Sequence, residues 1–424
     1  MKNEPLCKRQ RKIIRKSYLH CLKLLISILS FYLSTLDVYC DAAIVIWPYE
    51  IKFNYNTSAS ADDAINLAKN LNDTIEAPEF KYYVSNRAFA YIVGQSNRKI
   101  RIRFDSNCPN MKNLLINMRI ENGDGFGEIY NISIAFYNRL NEIELNLSGN
   151  VPTSINKRFI TLRWTIYAEP NCPGYSKGTT SRLTQHTYYT VFAEPQAPIN
   201  WAWTEVLDYD YIWAGGTTTI ENAVTDITDA LNNSGFYYTP GTNFGGNSFF
   251  TLSTFLSRLP DADDYFVNCL DMAHAVVTFS NALGCSLSVK KYNAAFNRIS
   301  VNYIDPIGGW PATNNIFEQP YIHNDCRTGG FSFHAFAERD GMIWDATLHY
   351  DTDDNPDNVI SSNPNCGNTT TEYEWELPCN VNETTYISRL VDSWIYPTDE
   401  EYPIECNEPE DCGDFQYIND FYLL

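Results

Sequence analysis

The stretch Asn268-Cys269-Leu270-Asp271-Met272-Ala273-His274-Ala275-Val276-Val277-Thr278-Phe279-Ser280-Asn281-Ala282-Leu283-Gly284 decides how the rest of the chain is read. Met272, Val276 and Leu283, with the small Ala273 and Ser280, fall on one helical stripe, and Gly284 suits the end of a helix. Asn268 is an N-cap residue, and Asp271 three positions later completes a capping-box-like pair. Cys269 therefore takes the first helical position. There the aligned peptide dipoles and unpaired N–H groups stabilise a thiolate, and the same N–H groups can receive an oxyanion. His274 lies five residues on, about 140° round the helix axis, and is read as a packed or surface histidine rather than a partner of the thiol.

Further along runs Gly329-Gly330-Phe331-Ser332-Phe333-His334-Ala335-Phe336-Ala337-Glu338-Arg339-Asp340-Gly341-Met342-Ile343-Trp344-Asp345-Ala346-Thr347. It predicts two strands around a turn at Glu338-Arg339-Asp340-Gly341. Symmetric pairing about that turn sets His334 opposite Asp345 on one face, within bonding reach. An Asp bonded to one ring nitrogen fixes the tautomer of His334 and leaves the other nitrogen for a thiol.

These motifs, in this order, resemble the transglutaminase-like superfamily over about Asp264 to Thr347: a Cys at a helix start, an Ala-rich helix ending in Ala-Leu-Gly, His-Ala on one strand and Trp-Asp-Ala-Thr ending the next. The resemblance implies Cys269 as nucleophile, His334 as general base and acid, and Asp345 as the group orienting His334, on a papain-like helix-on-antiparallel-sheet core. Asn268 and Leu270 flank the cysteine where animal tissue enzymes carry Gln and Trp, which brings the pattern nearer to diverse microbial-type relatives, peptidases and deamidases among them.

Outward from the motifs, residues 200–395 read as an α+β domain of this transglutaminase-like type, with a helix predicted over Ile220–Leu231 and stopped at Asn232-Asn233-Ser234-Gly235. Residues 43–195 read as a β-sandwich-like domain of short alternating runs, such as Lys99–Phe104 and Ile129–Phe136, with one short helix expected at Ala61–Leu71. Ala193–Pro198 reads as a linker and residues 396–424 as an acidic tail with Cys406 and Cys412. Residues 1–40 carry basic pairs and then the run Leu24–Leu33, a pattern that favours a signal peptide, and hence a secreted protein, over a signal anchor, which the long basic leader keeps open.

Removing eight basic and two acidic side chains with residues 1–40 leaves 23 basic against 49 acidic, a net charge near −26. Such a surface repels nucleic acid and anionic membranes, so the expected partner is a protein or peptide substrate, with no nucleic acid and no membrane for the mature form. Nine cysteines remain beyond residue 40, and an odd number fits four disulfides and one free thiol, with Cys108–Cys172 as the simple pairing in the first domain. No cofactor is expected. Asp351-Thr352-Asp353-Asp354-Asn355-Pro356-Asp357 alternates oxygen ligands as calcium loops do, yet Pro356 stands where such a loop needs Gly and Ser362 where it needs Glu, so it reads as a solvated acidic loop. His323 and His349 have no recognised metal-ligand spacing.

The expected function is a secreted thiol acyltransferase or hydrolase acting on carboxamide or peptide bonds. Two other readings stay open. In one, Cys269 belongs to a disulfide and the chain is a catalytically inactive binding or adhesion protein that keeps the fold. In the other, it is a papain-like protease of separate lineage, against which stand Asp as third member and the short interval from His334 to Asp345.

Overall fold

The computed structural model describes residues 42–54, 64–73, 79–108, 110–121, 129–135, 142–199, 202–239, 241, 243–294, 299–301, 307, 329–331, 333–348, 379–390, 395–396, 404–405, 413–418 and 422–423. It is a mixed helix-and-sheet structure in which strands predominate. The amino-terminal strands are β1 (Ile46–Lys52), β2 (Ile65–Asn66), β3 (Phe80–Lys81), β4 (Ser85–Asn86), β5 (Phe89–Ile92), β6 (Lys99–Ser106), β7 (Met111–Ile120), β8 (Ile129–Ala135), β9 (Glu142–Asn146), β10 (Asn156–Pro170) and β11 (Gly178–Val191). They form a five-stranded sheet in the order β9-β6-β1-β3-β4 and a six-stranded sheet in the order β2-β5-β11-β10-β7-β8.

Period-two alternation builds this part. Along β6, Ile100, Ile102 and Phe104 point inward, while Lys99 faces out to Glu144, Arg101 to Glu142 and Glu144, and Arg103 to Glu50. The inward residues of both sheets share one apolar cluster that includes Ile46, Phe104, Leu114, Leu162 and Trp164, so the sheets pack face to face. A disulfide joins Cys108 and Cys172, the pairing expected from sequence. Closing a loop of 64 residues removes unfolded-chain entropy worth on the order of 4 kcal/mol.

Beyond the linker come helices α1 (Thr204–Ala214), α2 (Ile220–Asn232), α3 (Leu252–Arg258) and α4 (Cys269–Ala282), then strands β12 (Ser288–Ala294), β13 (Phe333–Arg339), β14 (Met342–Trp344) and β15 (Val381–Asn382), helix α5 (Glu383–Leu390) and strand β16 (Gly413–Ile418). The strands make a five-stranded antiparallel sheet in the order β15-β14-β13-β12-β16, with α4 packed on β13. Thus part of the segment read as a tail is an edge strand of this sheet. A second apolar cluster takes in α1, α2, α4 and the sheet and continues into Ile65, Leu67, Tyr189 and Val191 of the strand-rich part.

One sequence expectation needs correction here. Residues 64–68 are extended rather than helical: Ile65–Asn66 pairs with Phe89–Ala90, and Ala68 bridges to Trp203. Ladder hydrogen bonds and burial of Ile65 and Leu67 outweigh a weak helical pattern. The stripe residues of the Cys269 helix are buried, as are all 14 residues of α4, which lies within the second apolar cluster.

Gly284 ends that helix as expected, at φ +80°. A Cβ there would stand 2.6 Å from the carbonyl oxygen of Ala193, so the end of α4 touches the linker backbone directly. The linker is held further by Asn281, whose Nδ2 donates to the Ala197 and Leu287 carbonyls at 2.5 and 2.9 Å.

Candidate active site

Cys269 opens α4 because Asn268 caps it. The Asp271 N–H donates to Asn268 Oδ1 at 2.9 Å, and the Asn268 N–H donates to Asp271 Oδ2 at 3.2 Å, the reciprocal box read from the sequence. Asp271 does more than cap. Its carboxylate also accepts from the backbone N–H groups of Asn243 and Phe244 at 3.3 and 3.1 Å, tying the 243–245 loop to the start of the helix. Burial pushes this carboxyl up to about 6 against the pull of those donors. Asp271→Ala strands the buried Asn268 and Phe244 N–H donors and the part-buried one of Asn243, so we expect a loss of about 3 kcal/mol in urea-induced unfolding, with Asp271→Asn losing less because one acceptor oxygen remains.

Cys269 is a free thiol in contact with His334, and the ring of His334 is bonded through Nε2 to Asp345 Oδ2 at 2.7 Å. The Nε2 bond leaves Nδ1 for the sulfur. Asp345 is itself held on both oxygens: Oδ2 also accepts from the Tyr386 hydroxyl at 2.5 Å, and Oδ1 accepts from the Thr347 N–H at 2.8 Å. Burial alone would lower His334, but the Asp345 charge and hydrogen bond, followed by the Cys269 sulfur, raise it to about 10. Burial alone would raise Asp345; the facing imidazolium and then the Tyr386 and Thr347 donors bring it below its ordinary value. At neutral pH the site holds a buried imidazolium–carboxylate pair beside the Cys269 sulfur.

The register that brings the pair together differs from the expected one. Asp340 and Gly341, at φ +54° and +80°, make a two-residue turn, so Arg339 faces Met342 and Ala337 faces Trp344. Carried on, that register would set His334 against Thr347, not Asp345. The slip amounts to two residues, which preserves the face, and His334 meets Asp345 along the diagonal. A slip of one would have sent the two side chains to opposite faces.

Neighbouring elements fix the Asp345 segment. Trp344 is buried and its Nε1–H donates to Thr225 Oγ1 at 3.2 Å, while Asn232 Nδ2 donates to the Ala346 and Leu348 carbonyls at 3.1 Å each. Helix α2 thus clamps both sides of the carboxylate. At the thiol side, Tyr238 is buried, and after burial itself the charges at Cys269, Asp345 and Asp271 push its hydroxyl up. Among the described residues the N–H groups of Cys269 and Leu270 donate to no backbone acceptor outside the helix.

Sequence reasoning missed Tyr386 and Tyr238. Tyr386 stands 41 residues beyond Asp345, and no local pattern marks it. His274 is fully buried in α4 against Phe250, as a packed histidine. Cys285 and Cys379 are free buried thiols as well, so three free cysteines among the described residues replace the single one expected from parity. Both behave as small apolar side chains, and burial pushes both thiols up.

Among the described residues no group of His, Cys, Asp and Glu is arranged to hold a metal, and no helix is long and apolar enough to cross a membrane. Residues 1–40, His323, His349, the 351–362 loop, Cys326, Cys366, Cys406 and Cys412 lie outside the described residues.

No family model matches the chain, and no curated protein matches it. Among solved structures it is similar to a transglutaminase from red sea bream, at a TM-score of 0.32 and 11% identity over 58% of this chain. The match takes in 47% of that protein, so the chain spans about half its length.

Proposed function

We propose that the chain is a secreted thiol acyltransferase or hydrolase of transglutaminase-like, papain-like type, acting on carboxamide or peptide bonds of a protein or peptide substrate. One observation carries the reading: a free thiol at a helix start touches a histidine whose other ring nitrogen is bonded to a buried carboxylate. The Cys269 sulfur, as thiolate, attacks the acyl carbon and forms a C–S bond. The carbonyl oxygen becomes an oxyanion, received by the Cys269 and Leu270 N–H groups. The C–N bond then breaks, and His334 gives its proton to the departing nitrogen. Neutral His334 next takes a proton from an incoming amine or water, which attacks the thioester; the C–S bond breaks and the thiolate returns. An amine acceptor gives cross-linking, and water gives deamidation or proteolysis. The Cys108–Cys172 disulfide supports an oxidising destination.

Cys269 is only 4% exposed, and this favours a second reading, a binding protein that keeps the constellation without turnover. Iodoacetamide labelling of the folded, unreduced chain, mapped by peptide mass, separates the two. The catalytic reading expects Cys269 to label near neutral pH while Cys285 and Cys379 stay unlabelled. Labelling of Cys269 only after denaturation decides for the binding protein.

A further inference from the structure

The carboxylate of Asp345 has one oxygen with two donors. Oδ2 accepts from His334 Nε2 at 2.7 Å and from the Tyr386 hydroxyl at 2.5 Å, and all three groups are buried. Without Tyr386 the carboxylate would be held by the Thr347 N–H at Oδ1 and, at Oδ2, only by the ring it has to orient; the Tyr386 hydroxyl supplies an anchor at Oδ2 that is independent of His334. Tyr386 is well placed for such a task. Its ring packs on Phe336 at 5.0 Å, and Phe336 lies two residues from His334 on the same strand.

The helix that carries it is tied down at its start. Glu383 pairs with the buried Lys290 of β12, and Asn382 Oδ1 accepts from the Thr385 N–H at 2.9 Å. The hydroxyl therefore has no need to find Asp345, because the helix delivers it there.

We propose that Tyr386 is a positioning residue of this site: its hydroxyl fixes the Asp345 carboxylate in the orientation that aligns His334 Nδ1 with the Cys269 sulfur. The inference rests on the catalytic reading above. It adds a fourth side chain, from a separate helix, to the Cys–His–Asp set. The hydrogen bond of the Tyr386 hydroxyl goes to Asp345, so its positioning effect travels through that carboxylate.

The test is Tyr386→Phe in the full chain, which keeps the ring and removes the oxygen. Losing a donor makes Asp345 easier to protonate, so the acid limb of the rate–pH profile for Cys269 alkylation moves up by about one pH unit. The same shift appears in the titration of the His334 ring-proton resonances. With 3-fluorotyrosine at 386, a stronger donor of the same size, the limb moves down instead. A profile that overlays the wild type overturns the proposal, even where the thermal midpoint falls, because a purely structural tyrosine would change only the latter. If wild-type Cys269 does not alkylate at all, the catalytic reading fails by itself. The ring-proton titrations still decide on Tyr386: unshifted signals in both variants reject it. Should the Phe variant not fold, the fluorotyrosine protein alone carries the comparison.

Discussion

Cys269→Ala is expected to abolish acyl transfer, with a fall of at least about 10⁴ in kcat, because the covalent intermediate has no other atom on which to form. Ammonia release from a glutamine-containing peptide, incorporation of a primary amine into casein, and cleavage of a peptide library cover the three outcomes of one thioester. Cys269→Ser is expected to fall nearly as far. A serine hydroxyl beside an imidazolium has no base to ionise it, since His334 already holds its proton at neutral pH. The fold should survive both changes. Ala and Ser fit the space of a buried sulfur, and the helix cap rests on Asn268 and Asp271 rather than on the thiol. Circular dichroism and a thermal midpoint within a few degrees of wild type are the control. Turnover retained in Cys269→Ala would end the catalytic reading outright.

How far the site could be read from sequence follows the range of the interactions involved. The Cys269 helix was legible because its signals are local: an N-cap, its reciprocal acid three residues on, and a glycine at the end. Helix α2 was legible for the same reason. The hairpin was legible in parity but not in register. Asp340-Gly341 adopts positive φ at both residues and shortens the expected turn, which shifts the partner of His334 by two without moving Asp345 off the face. Ile65–Asn66 misled because its partner strand lies more than twenty residues away, and a short window cannot weigh a ladder against a helix. Tyr386 had no local signature at all. It reaches Asp345 only because β15 and α5 fold back beside β14, a contact set by tertiary structure. Cysteine parity failed for a related reason: burial keeps Cys285 and Cys379 as apolar filling, and counting residues does not reveal burial.

Asp345→Asn carries the second large effect, and it separates electrostatics from shape. Asn keeps the volume and can still accept from the Thr347 N–H, but it no longer balances the charge on His334. The imidazolium, fully buried, then lacks its counter-ion, and we expect a stability loss of about 3 kcal/mol near pH 7 in urea unfolding. The pH dependence gives the sharper signature. In the wild type, the folded His334 titrates at about 10, above its unfolded value of 6.5. Its stabilisation is therefore complete below about pH 6.5 and is lost as pH rises through 10. Asp345 is lowered, so its share is present above its unfolded value of 3.8 and is lost as pH falls through its folded value. The wild type should hold a stability plateau between these two windows. The groups facing the pair (Cys269, Cys379, Tyr386 and Tyr238) modify the edges of the plateau but do not supply it. In Asp345→Asn, burial without a counter-ion drives His334 toward the neutral form, so the loss between pH 6.5 and 10 should vanish. Cys269 alkylation at neutral pH should fall with it, by about 10- to 100-fold, because the thiolate loses its cationic partner. An Asn variant with wild-type stability across pH 5 to 10 would mean that the His334–Asp345 contact is not an ion pair, and the charge-based account of the site would fail.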